Sequence, residues 1–194
     1  SSLLDADGDG AVEVVYSIYD DTGDRRWHTV AIDALTGQTR LDIPGHYLHG
    51  LHDIDGDGQP EWFLSEAAGE ALPPFAPLTI WTVNAGEPVE RWRHERAAFS
   101  SRPVSSLPLT VSTGAADGLR TTVAADADGD GRRDFFVVTP TDGGQALHAY
   151  GADAGGRVAQ RWTVRGPTGA SLQASAAVDI GAGPATLIHW TGRG

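Results

Sequence analysis

Hydrophobic and polar positions along this chain recur in short runs separated by polar gaps. A first set of runs covers 13–19 (EVVYSIY), 27–33 (WHTVAID) and 38–43 (QTRLDI), with the turn ALTGQ between the last two. A second set covers 61–65, 77–84 and 89–94 with the turn NAGEP, and a third covers 134–139, 146–151 and 158–164 with the turn ADAGG. Each run is brief and rich in β-branched and aromatic residues, so each predicts a strand. A further run precedes the second and third sets, YLHGLHD and LRTTVAAD, and only SLLD stands before the first.

The runs form a repeat. The third run of each set ends in TRL, ERW or QRW. From the Asp that opens each set to that last residue the separations are 36 (5→41), 39 (53→92) and 36 (126→162). Four short antiparallel strands per unit, at roughly 50-residue spacing, predict an all-β fold of β-propeller blades. The expected blades are about 1–44, 46–95, 119–165 and a partial fourth at 171–194, with an inter-blade insertion at 96–118. Three full blades and a part of a fourth make an arc, so the complete ring is expected to include sequence beyond this chain. The alternative is a small ring closed by pairing across the termini.

Between the first and second strand of each unit lies the same motif: DADGDGAVE at 5–13, DIDGDGQPE at 53–61 and DADGDGRRD at 126–134. Acids occupy positions 1, 3, 5 and 9, and glycines positions 4 and 6. Oxygens at alternate positions of a curled loop converge on one point, which suits a hard cation. Ca²⁺ takes six to eight oxygens at about 2.3–2.6 Å, while Mg²⁺ rarely accepts an all-protein cage. The expected ligands are Asp5, Asp7, Asp9 and Glu13; Asp53, Asp55, Asp57 and Glu61; and Asp126, Asp128, Asp130 and Asp134. The position-7 carbonyls of Ala11, Gln59 and Arg132 would add one oxygen to each. About three Ca²⁺ sites follow. An EF-hand loop begins in the same way but needs a bidentate Glu at position 12 on an exiting helix. Position 12 here is Tyr16, Leu64 or Val137, within strand-like sequence. A fourth unit keeps only Asp179, and no cation is expected there.

The segments 5–15, 53–63 and 126–136 resemble the calcium-binding FG-GAP repeats of integrin α-chain-like propellers, called VCBS repeats in bacterial proteins. The stretch VAIDALTGQTRLDIPG (30–45) is also similar to the repeat of quinoprotein-type propellers. Both resemblances imply the same architecture.

Charge agrees with bound cations. The net charge is −12, and the loops hold 3 × 4 = 12 of the 26 acids. Three divalent cations would bring −12 to −6. An acidic chain is a poor match for nucleic acid, which needs a basic face. No apolar run approaches the 18 residues of a membrane span. There is no cysteine and no methionine, and no signal peptide at the start. The chain therefore reads as a piece of a longer polypeptide.

Long loops on a rigid scaffold are where binding concentrates. EAAGEALPPFA (66–76) and the linker 95–118 are the candidates, for a protein or glycan ligand. His46, His49 and His52 cluster in GHYLHGLHD. On a regular strand His46 and His52 share a face and His49 opposes them, unless Gly50 provides a bulge. Trp62, Trp81, Trp92 and Trp162 fall on strands, where packing between blades explains them. No GxSxG, HExxH, P-loop or GxGxxG motif is present, so no catalytic residue is assigned. The expected function is a calcium-stabilised propeller module of an extracellular, cell-surface or periplasmic protein, displaying loops for adhesion or carbohydrate binding. The alternative is part of a propeller enzyme, such as a rhamnogalacturonan-lyase-like or quinoprotein-like one, with those histidines in its channel.

Overall fold

The first three-strand set folds as its pattern predicts, into β2 (Glu13–Tyr19), β3 (Trp27–Asp33) and β4 (Thr39–Pro44), with β1 (Ser2–Leu4) added at the edge. They form an antiparallel sheet in the order β1-β2-β3-β4. This computed structural model describes residues 2–84, 86–100, 124–126, 129–179 and 184–192. Asp128, and residues 101–118 of the expected insertion, lie outside the described residues. Among the described residues there is no helix and 61% of positions are strand, so the protein is all-β.

Gly45 turns the chain from β4 straight into β5 (His46–His52), with φ +76° and its N–H on the Trp27 carbonyl at 2.7 Å. β6 (Glu61–Glu66), β7 (Ala76–Asn84) and β8 (Glu87–Phe99) complete a second antiparallel series. β9 (Ala124–Ala125), β10 (Asp134–Thr141), β11 (Gly144–Ala152) and β12 (Val158–Arg165) form the third, and β13 (Ala170–Asp179) pairs with β14 (Pro184–Gly192). No sheet closes on itself among the described residues.

β8 departs from expectation. It was expected to stop at 94 and runs to Phe99. Two register irregularities carry it past β7, opposite Ala76/Leu78 and Ile80/Trp81. Its tip then pairs with β10, Phe99 against Val137 and Ala98 against Val138, while β9 pairs with β10 at Asp134 and Phe135. The second and third series thereby become one eight-stranded sheet. Burial of Ala97 and Phe99 is the driving force, since both sit in the core beside Phe63 and Phe135. The expected insertion therefore begins with strand.

Side-chain alternation builds three packed layers. Trp62 and Leu64 of β6 meet Val15, Ala31 and Ile43 of the first sheet. Phe63, on the opposite face of β6, packs with Phe99, Phe135 and Val137. Phe136 and Val138, alternating with those on β10, pack with Trp162, Leu172, Ile188 and Trp190. A strand buried on both faces reads as a continuous apolar run, which is what WFL and FFVV are. Trp81 and Trp92 lie against the first and second of these layers. All four expected packing tryptophans thus lie in or against these layers.

Candidate metal centre

The acidic loops link β1 to β2, β5 to β6 and β9 to β10. Their short carboxylates fold the backbone by accepting its N–H groups. In the first, Asp5 accepts from Gly8 at 2.7 Å and Gly10 at 3.1 Å, Asp7 from Asp9 at 3.2 Å, and Asp9 from Ala11 at 2.7 Å. The second repeats this: Asp53 accepts from Gly56 (2.7 Å) and Gly58 (3.0 Å), Asp55 from Asp57 (3.2 Å), and Asp57 from Gln59 (2.7 Å). In the third, Asp126 accepts from Gly129 (2.6 Å) and Gly131 (3.1 Å), and Asp130 from Arg132 (2.9 Å). The glycines at positions 4 and 6 have φ between +76° and +91° in all three, a region that penalises any side chain.

The position-9 acid closes the loop. Glu13 Oε2 accepts the Ala6 N–H at 2.9 Å, and Glu61 Oε2 accepts the Ile54 N–H at 2.9 Å. Glu13 is 0% exposed and Glu61 2%, and the second oxygen of each, Oε1, has no hydrogen-bond partner. Burial raises the pKa of both, to about 7 for Glu61, with the neighbouring aspartates adding to the rise and the backbone N–H opposing it. Oxygens of Asp5, Asp7 and Glu13 lie within 4.8 Å of one another, as do those of Asp53, Asp55 and Asp57. These are donor sets of hard oxygen, the chemistry Ca²⁺ takes. A buried carboxylate oxygen without a partner is costly, and a cation satisfies it.

The loops line up side by side. A Cβ on Gly8 would stand 3.0 Å from Gln59 Oε1, and one on Gly56 would stand 3.8 Å from Arg132 Cγ. The position-7 side chains of the second and third loops therefore lie over the position-4 glycine of the loop before each. The β11–β12 turn joins the row, since a Cβ on Gly156 would meet Asp55 Oδ2 at 2.8 Å.

The third loop differs in charge. Arg132 NH2 pairs with Asp130 Oδ2 at 2.5 Å, and Arg161 Nε reaches Asp134 Oδ1 at 3.9 Å. The backbone N–H and side chain of Arg132 hold Asp130 below the usual carboxylate range.

The histidines do not form one group. A bulge between Leu48 and Gly50 leaves His49 as the extra residue in β5. His46 packs on Trp81 at 5.2 Å, on the first-sheet side. His52 lies beyond the bulge, opposite Glu61 and against Phe63 at 5.4 Å, on the other side. His49 bonds Ser65 Oγ at 2.9 Å and meets Phe99 edge-on. Burial lowers both His49 and His52 to about 4, helped at His52 by the Arg133 guanidinium. These neutral, packed rings are spent on the sheet.

The loop 66–76 is tied down at several points. Ala67 donates to the Gly45 carbonyl at 2.8 Å, Trp27 Nε1 donates to the Glu70 carbonyl at 3.1 Å, and Phe75 packs against the Phe136–Val138 cluster. Glu70 also lines a shallow cavity of about 340 Å³ with Tyr19, Asp21 and Arg25. Sequence reasoning did not single out the polar set Asp20, Asp24 and His28, whose ligand atoms also lie within 4.8 Å. His28 sits between Asp42 (2.7 Å) and Asp24 (3.2 Å), which raise its pKa. Only the spacing of Asp24 and His28 was visible beforehand.

Comparison of the chain with protein-family models, with curated proteins and with solved structures found no match.

Proposed function

We propose that this chain is a calcium-binding segment of a β-propeller of the FG-GAP/VCBS type. The loops at 5–13 and 53–61 each hold one Ca²⁺, and the loop at 126–134 shares their acid spacing. The observation that carries this reading is the pair of fully buried glutamates, each with one oxygen lacking a partner; Glu13 groups with Asp5 and Asp7, and Glu61 stands outside the Asp53, Asp55 and Asp57 group but feels its charge. Asp5, Asp7, Asp9 and Glu13, and Asp53, Asp55, Asp57 and Glu61, are the holding residues. The cation supplies positive charge that cancels their repulsion. It ties β1 to β2 and β5 to β6, so its work is stability of the fold.

Serial packing of antiparallel sheets, with the acidic loops in one row, supports blades of a propeller. Extracellular calcium, far above cytosolic levels, would keep such loops filled, and on that ground we place the chain in a secreted, surface or periplasmic protein that displays loops to a protein or glycan. The β6–β7 loop at 66–76 is the described candidate for that display.

The test is calorimetry of the chelator-stripped protein with Ca²⁺, together with thermal melting. Binding at two or more sites is expected, with a rise in melting temperature of several degrees. At 100 times Kd each site adds about 2.7 kcal/mol. No heat of binding and an unchanged melting temperature would refute the proposal.

A further inference from the structure

One arginine recurs at the same place in every unit: Arg40, Arg91 and Arg161, in the TRL, ERW and QRW endings. Its partner changes. The residue opposite the position-9 acid across the sheet is Asp33 in the first unit, where it pairs with Glu13. In the second, Trp62 pairs with Trp81, which places Thr82 opposite Glu61; in the third, Phe135 pairs with Tyr150, which places Gly151 opposite Asp134. Arg40 is held by Asp33 (2.5 Å), and Arg91 donates from Nε to Thr82 Oγ1 (2.9 Å). Gly151 offers no side chain. Arg161 instead passes over it to Asp134, close enough that a Cβ on Gly151 would stand 2.7 Å from Arg161 Nε. Position 7 makes the same change. It is Ala11 and Gln59 in the first two loops and Arg132 in the third, where the guanidinium is on Asp130.

We propose that the third loop is partly neutralised by the protein's own guanidinium groups, Arg132 on Asp130 and Arg161 on Asp134, so that the first two loops depend on a cation more than the third does. In the first two loops Arg40 and Arg91 bond to Asp33 and Thr82 and act on Asp7, Asp9 and Asp55 only at a distance, and the glutamate oxygens stay unpaired. A cation entering the third loop has to displace Arg132 from Asp130 and approach two fixed positive charges. Its affinity there is at least about tenfold weaker. The count of tight sites rests on the reading of the loops as calcium sites; the charge balance within the third loop does not.

The experiment therefore has two arms on the same 194-residue chain. The first is Ca²⁺ calorimetry on the parent and on the double variant Arg132→Gln, Arg161→Gln. Two tight sites in the parent and a third in the variant are expected. Where the parent binds Ca²⁺, three equivalent sites in it, or no change in the variant, overturn the proposal. The second arm is melting in excess chelator of Asp9→Asn, Asp57→Asn and Asp130→Asn, the position-5 acid of each loop. Each substitution keeps the Oδ1 that accepts the backbone N–H. Asp9→Asn and Asp57→Asn relieve repulsion and raise the melting temperature by about 2–4 °C, while Asp130→Asn breaks an ion pair and lowers it. Shifts of one sign in all three overturn the proposal. If no loop binds Ca²⁺, the calcium reading falls and the second arm still decides this one.

Discussion

Trp62 donates its indole N–H to the Ala6 carbonyl at 3.0 Å, joining the middle of β6 to position 2 of the first acidic loop. The indole is fully buried, and so is Ala6. The second sheet therefore shapes the first loop directly. Trp62→Phe keeps most of the apolar contact and strands that carbonyl. A loss of about 1–3 kcal/mol is expected, read as a fall in melting temperature of about 2–10 °C. Calorimetry should show weaker Ca²⁺ binding at one loop and unchanged binding at the other.

Glu13→Gln and Glu61→Gln should change sign with conditions. The amide keeps an oxygen for the Ala6 or Ile54 N–H and removes a buried charge. In excess chelator each variant melts higher than the parent. In millimolar Ca²⁺ each melts lower, because a charged ligand is gone. A purely structural role for these side chains predicts one sign in both conditions, so paired melting curves decide.

Acid should weaken the fold through His49. Burial holds its folded pKa near 4, below the ordinary 6.5. A group that binds protons less well when folded contributes stability above its unfolded pKa. That contribution is lost as pH falls from about 6.5 towards 4, up to about 3 kcal/mol. Denaturant midpoints at pH 7 and pH 4.5 should differ less in His49→Gln than in the parent. Equal differences would show that His49 does not titrate this way.

His28 should do the reverse. Asp42, and then Asp24, raise its folded pKa. Its stabilising contribution is complete below the unfolded pKa and is lost as pH rises through the folded one. Titration of the ring protons by NMR should place His28 above 6.5, the ordinary histidine value. Asp42→Asn should move it down more than Asp24→Asn does.

The strands of the first unit were legible because each is a simple alternation closed by a glycine turn. The expected runs 13–19, 27–33 and 38–43 became Glu13–Tyr19, Trp27–Asp33 and Thr39–Pro44. The tip of β8 was not legible. HERAAF carries two alanines where a strand normally shows β-branched residues, and its partner on β10 lies some 40 residues away in sequence. The bulge at His49 was foreseeable from Gly50 only as an option. At the loops the ligand set was readable from the spacing of the acids. Neither the unpaired oxygens nor the arginines were, because both depend on which side chain stands across the sheet. TRL, ERW and QRW displayed the recurring arginine openly, but nothing local said that Gly151 would release it.

β8 also bears on how such a chain can be divided. A strand hydrogen-bonded to β7 along most of its length and to β10 at its tip is owned by two neighbours. Cutting or exchanging units at residue 95 would leave β10 with an open edge and expose Phe99, which is 6% exposed in place. Shuffling of units two and three must therefore carry residues 95–100 with whichever piece holds β10, or move the two together. Repetition in sequence here does not amount to interchangeability in space.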